Sequence, residues 1–207
     1  MRQESISRNL LVYEQEARSK GFHLIAGVDE AGRGPLAGPV VAAACIIPYG
    51  VIIEGVDDSK ALSAEKREHL YQRLTGDSSI CYAIGIISSV VIDQINILQA
   101  TFLAMLEAVK GLAKQPDYVL VDGNLTPRFP MPAKAIIDGD ALSQSIGAAS
   151  IIAKVTRDKM MEEYAAKYPH FGFSKHKGYG TKGHLAEIAR HGPTPIHRFS
   201  FSPIKKG

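Results

Sequence analysis

Cysteine is scarce in this chain: only Cys45 and Cys81 occur in 207 residues. Two thiols cannot build a disulfide framework, and they lack the paired spacing of metal ligands. Both stand in apolar, strand-like runs, where a free cysteine behaves as a small hydrophobe, so both are expected in the core. Long apolar runs are missing too. The longest, Val40 to Ile47, is far short of the roughly 20 residues that span a bilayer. The opening stretch MRQESISRNLL has no apolar signal core, so a cytoplasmic location away from membranes is expected. Repeats and low-complexity linkers are absent as well.

What is present suits a folded domain. Apolar residues make up 45% of the chain and charged residues 22%, and the mean hydropathy is −0.01, enough for a sizeable core. One domain over residues 1–207 is the simplest account. The net charge is only +3, yet it is unevenly spread. Lys167 to Gly207 holds eight Lys and Arg against one acid, Glu187, so this fifth carries +7 and the remaining 166 residues carry −4. A basic end on a mildly acidic body suits a polyanion partner, or else it is a solvated tail.

Spacing lays out the elements. Ile6, Leu10, Tyr13 and Ala17 follow a helical period that Gly21 is placed to end. Phe22 to Val28 and Val40 to Ile47 read as strands around a Gly/Pro-rich turn, Gly32 to Pro39. Ser63 is placed to cap a helix reaching about Leu74, with Glu65 in its first turn. Cys81 to Ile87 is a third strand, and one long helix follows from Ser89 to about Ala113. Tyr118 to Val121 is a fourth strand ending in Asp122-Gly123, and Ala133 to Ile137 a fifth. A long helix from about Ala141 to Tyr168 stops at Pro169. The remainder reads as a Gly/Lys/His loop, a helix ending near Gly192 and an extended Pro-containing tail. Strands mixed with helices predict an α/β fold with a mixed sheet.

The carboxylates carry the chemistry. Asp29-Glu30 follows an apolar strand, Asp122 ends another, and Asp140 stands between the fifth strand and a helix. Strands disfavour acids and interiors disfavour unpaired charge, so acids at strand ends point to a site. Converged acids repel: at about 4 Å the cost is roughly 1 kcal/mol in water and about 4 kcal/mol at an effective dielectric of 20. A divalent cation removes that penalty, and Mg²⁺ prefers carboxylate, water and phosphate oxygens. Taken singly, each acid also reads as a turn residue or strand-end cap.

Rival motifs are weaker. Gly32 to Gly38 has GxGxxxG spacing, which misses the dinucleotide fingerprint, and no GK[ST] occurs to make a P-loop. Glycines beside Arg33 fit sugar–phosphate contact better. Phe171 to Lys182 interleaves rings and cations among glycines, as a nucleic-acid groove requires. Five of the seven histidines lie in the C-terminal fifth, without the spacing of a zinc site; His184 and His191 share a helix face and are expected to pack or to face phosphate.

These residues, read in order, resemble the ribonuclease HII family. Asp29-Glu30-Ala31-Gly32-Arg33-Gly34-Pro35 with Ala37-Gly38-Pro39-Val40 looks like its opening motif. Asp58-Ser59-Lys60-x-Leu62-Ser63, Asp122-Gly123, Gly139-Asp140, Ala148 to Asp158, His176 to Thr181, and His197-Arg198-x-Ser200-Phe201 follow in family order. The resemblance spans about Ile25 to Pro203. It implies a ribonuclease H-like mixed sheet flanked by helices, with residues 169–207 as a small basic, helical segment over the substrate groove. It implies that Asp29, Glu30, Asp122 and Asp140 hold Mg²⁺ or Mn²⁺, two ions per site. Gly32, Arg33 and Gly34 would contact the 2′-OH and backbone, Tyr179 would stack on a deoxyribose, and Lys60 and Lys154 would meet phosphates. Ala61 departs from the second lysine that many members carry there. The glycine turn differs from that of the sister type HIII, so the extra N-terminal domain of that type is not expected.

The implied activity is endonucleolytic cleavage of the RNA strand of RNA–DNA hybrids, and cutting at ribonucleotides embedded in duplex DNA. One ion would activate water and the other stabilise the leaving 3′ oxygen, about 3.5–4 Å apart, leaving 3′-OH and 5′-phosphate ends. Contacts to the 2′-OH would supply selectivity of about 10⁴–10⁵. The partners implied are RNA–DNA hybrid and ribonucleotide-containing DNA, with no obligate protein partner and a monomeric chain. Two other classes stay open from the residues alone: a non-catalytic hybrid-binding module, which needs the groove but not the acids, and an enzyme acting on free nucleotides.

Overall fold

The computed structural model describes residues 10–56 and 62–204. Its elements in chain order are α1 (Val12–Ser19), β1 (Ile25–Ala31), β2 (Val40–Ile46), α2 (Ala64–Gly76), β3 (Cys81–Ile87) and α3 (Ser89–Lys110). Then come β4 (Tyr118–Asp122), β5 (Ala133–Ile136), a 3₁₀ turn (Gly139–Ala141), α4 (Gln144–Lys167), α5 (Phe173–His176) and α6 (Lys182–His191). The strands form one mixed sheet in the order β3-β2-β1-β4-β5, antiparallel across β1, β2 and β3 and parallel across β1, β4 and β5. Helices cover both faces, which makes the α/β architecture a finding.

The sheet is thin enough for helices to lie close. β2 reads Val-Val-Ala-Ala-Ala-Cys-Ile and every residue of it is buried, as expected of a strand covered on both sides. Alternation sends Val40, Ala42, Ala44 and Ile46 to α3, and Ala43 and Cys45 to α4 and α2. On β1 a side chain at Gly27 would begin 2.1 Å from the Ser145 carbonyl carbon, so only glycine lets the first turn of α4 rest on the strand. Cys45 and Cys81 are free thiols on opposite sheet faces; burial pushes the Cys45 thiol up to about 12, while Cys81 is only half-buried.

Several expected boundaries shift for visible reasons. β1 begins at Ile25, because the His23 and Leu24 amides are bound by the Asp117 carboxylate instead of a neighbouring strand. The expected single helix after β3 is broken at Asn96, whose backbone turns left-handed (φ 69°) while its side chain caps the next turn through the Gln99 amide (3.1 Å). This α3 has the length and mean hydropathy (1.5) of a membrane span, yet its apolar residues Ile92, Ala100, Ala104 and Ala108 pack on the sheet. α4 starts at Gln144, capped by Ser143, because residues 139–141 form a separate 3₁₀ turn. The Gly/Lys/His loop contains an unexpected short helix, α5.

The C-terminal end is woven into the fold. His197 bridges Ala37, the Arg198 amide donates to the Leu36 carbonyl, and Asp93 receives the amides of Phe199 and Ser200. The solvated-tail reading therefore fails for residues 193–204, though not as a simple phosphate track: Arg198 is wholly buried, and Lys177 pairs with Glu162 at 2.8 Å.

Candidate active site

The site grows from the parallel pairing of β1 and β4. Their register sets Val28 beside Val121, so the next step brings Asp29 and Asp122 side by side. Here the structure corrects one expectation. Asp29 and Glu30 lie within β1, not past its end, paired to Ala43 and Ala42 of β2. The acids are still gathered because β4 stops at Asp122 while β1 runs on. That leaves β1 without a neighbour on the β4 side, at the carboxyl ends of parallel strands, where α/β sheets open their crevices.

An open cavity of about 450 Å³ occupies that notch. Asp29, Glu30, Asp122, Gly32, Arg33, Gly34, Lys154 and Tyr179 all line it, joined by Ser150 and Arg67, which the sequence reading had not singled out. Asp140 is not in the cavity wall. It is buried in the 3₁₀ turn beside Asp122, whose Oδ1 accepts the neighbouring Gly139 amide at 2.7 Å. Lys60 lies outside the described residues. Ser150 was legible in principle: it sits one helical turn before Lys154 on α4, so the two share a face.

Burial, then the charges of Glu30 and Asp122, hold the Asp29 carboxyl well above the usual carboxylate range, against hydrogen bonds from Ser150 and the Glu30 amide. Burial also raises Glu30, although Arg33, 3.3 Å away, opposes the shift. Like charges crowded in a poorly solvated notch mark the position that a cation would occupy. Among the described residues no three His, Cys, Asp or Glu side chains are gathered tightly enough to hold an ion as they stand. The donor chemistry fits a hard divalent cation even so: oxygen ligands only, excess negative charge, and an opening wide enough for water and phosphate.

The rest of the wall is suited to a sugar–phosphate chain. Lys154 spans to Asp158 (2.8 Å) at the rim. Tyr179 is 45% exposed, so its ring is free of the core and faces the opening. Gly178, at φ +84°, delivers it: a side chain there would meet the Ala37 carbonyl oxygen at 2.4 Å. Of the clustered histidines, His184 is fully buried and so packs, whereas His191 is exposed and stacks on the equally exposed His170 at 4.9 Å.

Comparison with known proteins agrees with this geometry. The ribonuclease HII family profile matches residues 26–204. The chain is 55% identical over 199 residues to ribonuclease HII of Geobacter metallireducens, covering 96% of this chain and 93% of that one. It is 52% identical over 198 residues to ribonuclease HII of Chlamydia pneumoniae, covering 96% and 92%. Among solved structures, the ribonuclease H2 of Pyrococcus horikoshii OT3 superposes with a TM-score of 0.73 at 30% identity, covering 87% of this chain and 94% of that one. The chain belongs to the ribonuclease HII family, as a metal-dependent ribonuclease that cuts the RNA strand of RNA–DNA hybrids.

Proposed function

We propose that this ribonuclease also cuts at single ribonucleotides embedded in duplex DNA, with two divalent cations and with 3′-OH and 5′-phosphate products. One observation carries the reading: Asp29, Glu30 and Asp122, the Gly32–Gly34 turn and the Tyr179 ring line a single cavity. A turn that can approach a ribose and a ring that can lie on a deoxyribose are the two things needed to read a junction.

Asp29, Glu30, Asp122 and Asp140 are the residues we assign to the cations, which when bound would neutralise developing phosphate charge and lower the pKa of water. Ser150 orients the Asp29 carboxylate by hydrogen bond. The Gly139 amide does the same for Asp122. Lys154 stands at the rim for phosphate, exchanging its contact with Asp158 for one with substrate. Arg33, Gly32 and Gly34 face the 2′-OH, and a site built to bond a hydroxyl rejects a sugar lacking it. Residues 1–207 act as one catalytic unit, as a monomer, with the segment from residue 169 onward supplying Tyr179 to the groove.

The test is a DNA duplex carrying one ribonucleotide, incubated with and without Mg²⁺ or Mn²⁺, with both product ends mapped. Cleavage at the ribonucleotide only with metal, leaving a 3′-OH, is expected. Cleavage of uniform hybrids alone, or 3′-phosphate ends, would overturn the proposal.

A further inference from the structure

The motif His197-Arg198-x-Ser200-Phe201 lies outside the cavity wall, yet it is built into the fold with unusual care. Arg198 is wholly buried. Its guanidinium donates to the carbonyls of Gly32 (2.6 Å), Arg33 (2.9 Å), Gly38 (2.9 and 3.0 Å) and Pro39 (3.2 Å), and it lies over the Phe201 ring. Arg157, equally buried, donates to Ala37 (3.1 Å) and Pro39 (3.0 Å). Neither guanidinium has a carboxylate within ion-pair distance among the described residues. Burial and the neighbouring Arg157 push Arg198 down to about 9. Two unpaired cations in an interior are a poor way to gain stability. What they achieve is orientation.

The peptide bond is planar and trans, so a carbonyl turned one way sends the following amide the other way. With the Gly32 and Arg33 carbonyls held on Arg198, the Arg33 and Gly34 amides are aimed away from it, on the side where the turn lines the cavity. Neither amide has an acceptor among the described residues. The turn cannot relax by filling the space either, since a side chain at Gly32 would begin 2.1 Å from Arg157 Nε.

His197 reaches the other reader. The Tyr179 carbonyl can only accept, so the His184 ring gives it the Nδ1 proton (3.0 Å). His184 Nε2 is then an acceptor, and His197 Nε2 donates to it across 3.0 Å. His197 Nδ1 in turn accepts the Thr194 amide at 2.8 Å. Every ring nitrogen in this relay is satisfied with both histidines neutral, and the relay ends on the backbone that presents the Tyr179 ring.

We propose that His197 and Arg198 are positioning residues which hold the Gly32–Gly34 turn and Tyr179 at a fixed separation, so that one dipeptide sets the spacing at which an RNA-to-DNA junction is read. This rests on the reading that both elements touch substrate. A shift of about 1 Å in such a constellation can cost about 10²-fold in rate.

A double-mutant cycle tests it. Arg198→Lys, Tyr179→Ala and the double variant are assayed for kcat/KM on a single-ribonucleotide duplex and on a uniform hybrid, with thermal melts as the folding check. Arg198→Lys should lose about 10²-fold on the single ribonucleotide and less on the hybrid. In the Tyr179→Ala background the same change should cost at least about threefold less, the mark of coupled residues. Equal costs in both backgrounds and on both substrates would reduce Arg198 to a structural residue and overturn the inference. If Tyr179→Ala alone cost nothing on either substrate, the underlying site reading would fail instead. Should Arg198→Lys not fold, His197→Asn serves in its place: it offers an oxygen to the Thr194 amide but withdraws the donor from His184, leaving Arg198 intact. The same pattern of coupling is expected, and simple additivity counts against the proposal.

Discussion

The Tyr179 ring lies against Gly34: a side chain grown on that glycine would begin 3.7 Å from Tyr179 Cε1. A gap of about one methyl group therefore separates the glycine turn from the ring, which sets the two elements assigned to ribose and deoxyribose side by side.

Tyr179→Ala should accordingly lower kcat/KM on a single embedded ribonucleotide by about 1–3 kcal/mol, the range of a lost stacking contact. A uniform hybrid has no deoxyribose in the cut strand and should suffer less. Tyr179→Phe should stay close to the parent enzyme, because the ring and not the hydroxyl is invoked. Parallel kinetics on the two substrates check this; equal losses on both would remove Tyr179 from junction reading.

Asp122→Asn separates charge from shape. The amide oxygen of Asn keeps the acceptor for the Gly139 amide, now 2.7 Å from Asp122 Oδ1. What disappears is one negative charge beside Asp29, a charge that helps hold the Asp29 carboxyl high. Cleavage should fall by about 10²-fold or more, while the melting temperature holds or rises slightly. Calorimetric titration of Mn²⁺ should show weaker binding. Turnover near that of the parent would take Asp122 out of the site.

The sequence made the sheet strands, the cap at Ser63 and the acid cluster legible, because periodicity and capping act over a few residues. It placed Asp29 and Glu30 past a strand end, since no local signal says that β1 continues against β2 after β4 has stopped. The break at Asn96 was hidden in the same way: a run as apolar as Ser89 to Lys110 reads as one helix. The buried arginines left a trace that went unread. Arg157 falls one turn after Ala153 on the buried side of α4, an odd place for a cation unless something beyond the helix needs its donors. Arg198 belongs to a C-terminal motif, but its partners are some 160 positions away in sequence, beyond any local signal.

Glu14 ties α1 to the helix that carries Ser150 and Lys154. Its Oε1 accepts from Ser143 Oγ (2.6 Å), Ser145 Oγ (2.6 Å) and the Ser145 amide (3.0 Å), so a carboxylate caps the positive end of α4. Glu14→Ala would strand these buried donors and should cost about 2–3 kcal/mol. Glu14→Gln retains an acceptor oxygen and should cost less, the remainder measuring the charge. Urea unfolding curves decide it, and an unperturbed midpoint for Glu14→Ala would show that α1 contributes nothing to α4.

The histidine relay makes the C-terminal segment acid-sensitive. Burial first, then the neighbouring His184, depresses His197 from 6.5 to about 4, and burial also lowers His184. The folded protein thus excludes protons that the unfolded chain accepts, so stability is complete above about pH 6.5 and is lost as pH falls towards 4. For His197 alone the loss is at most about 3 kcal/mol, reduced by solvent screening. The physical cause is plain in the geometry. A proton added to His184 would set two N–H bonds head to head across 3.0 Å, and one added to His197 Nδ1 would displace the Thr194 amide bond (2.8 Å) and have only the Thr194 hydroxyl (2.9 Å) and carbonyl (3.3 Å) to receive it. The surroundings give little relief: Phe171 and Phe173 flank the pair, and the one nearby acid, Glu187, is engaged with His176, which stacks on His184 at 4.2 Å. Hydrogen exchange from pH 7 to pH 4, corrected for intrinsic rates, should show the amides of α6 and of residues 194–198 losing protection before those of β1 and β2. His197→Asn, with no titrating ring, should flatten that dependence. Uniform loss of protection across the sheet and the C-terminal segment would mean that acid acts through the carboxylates instead.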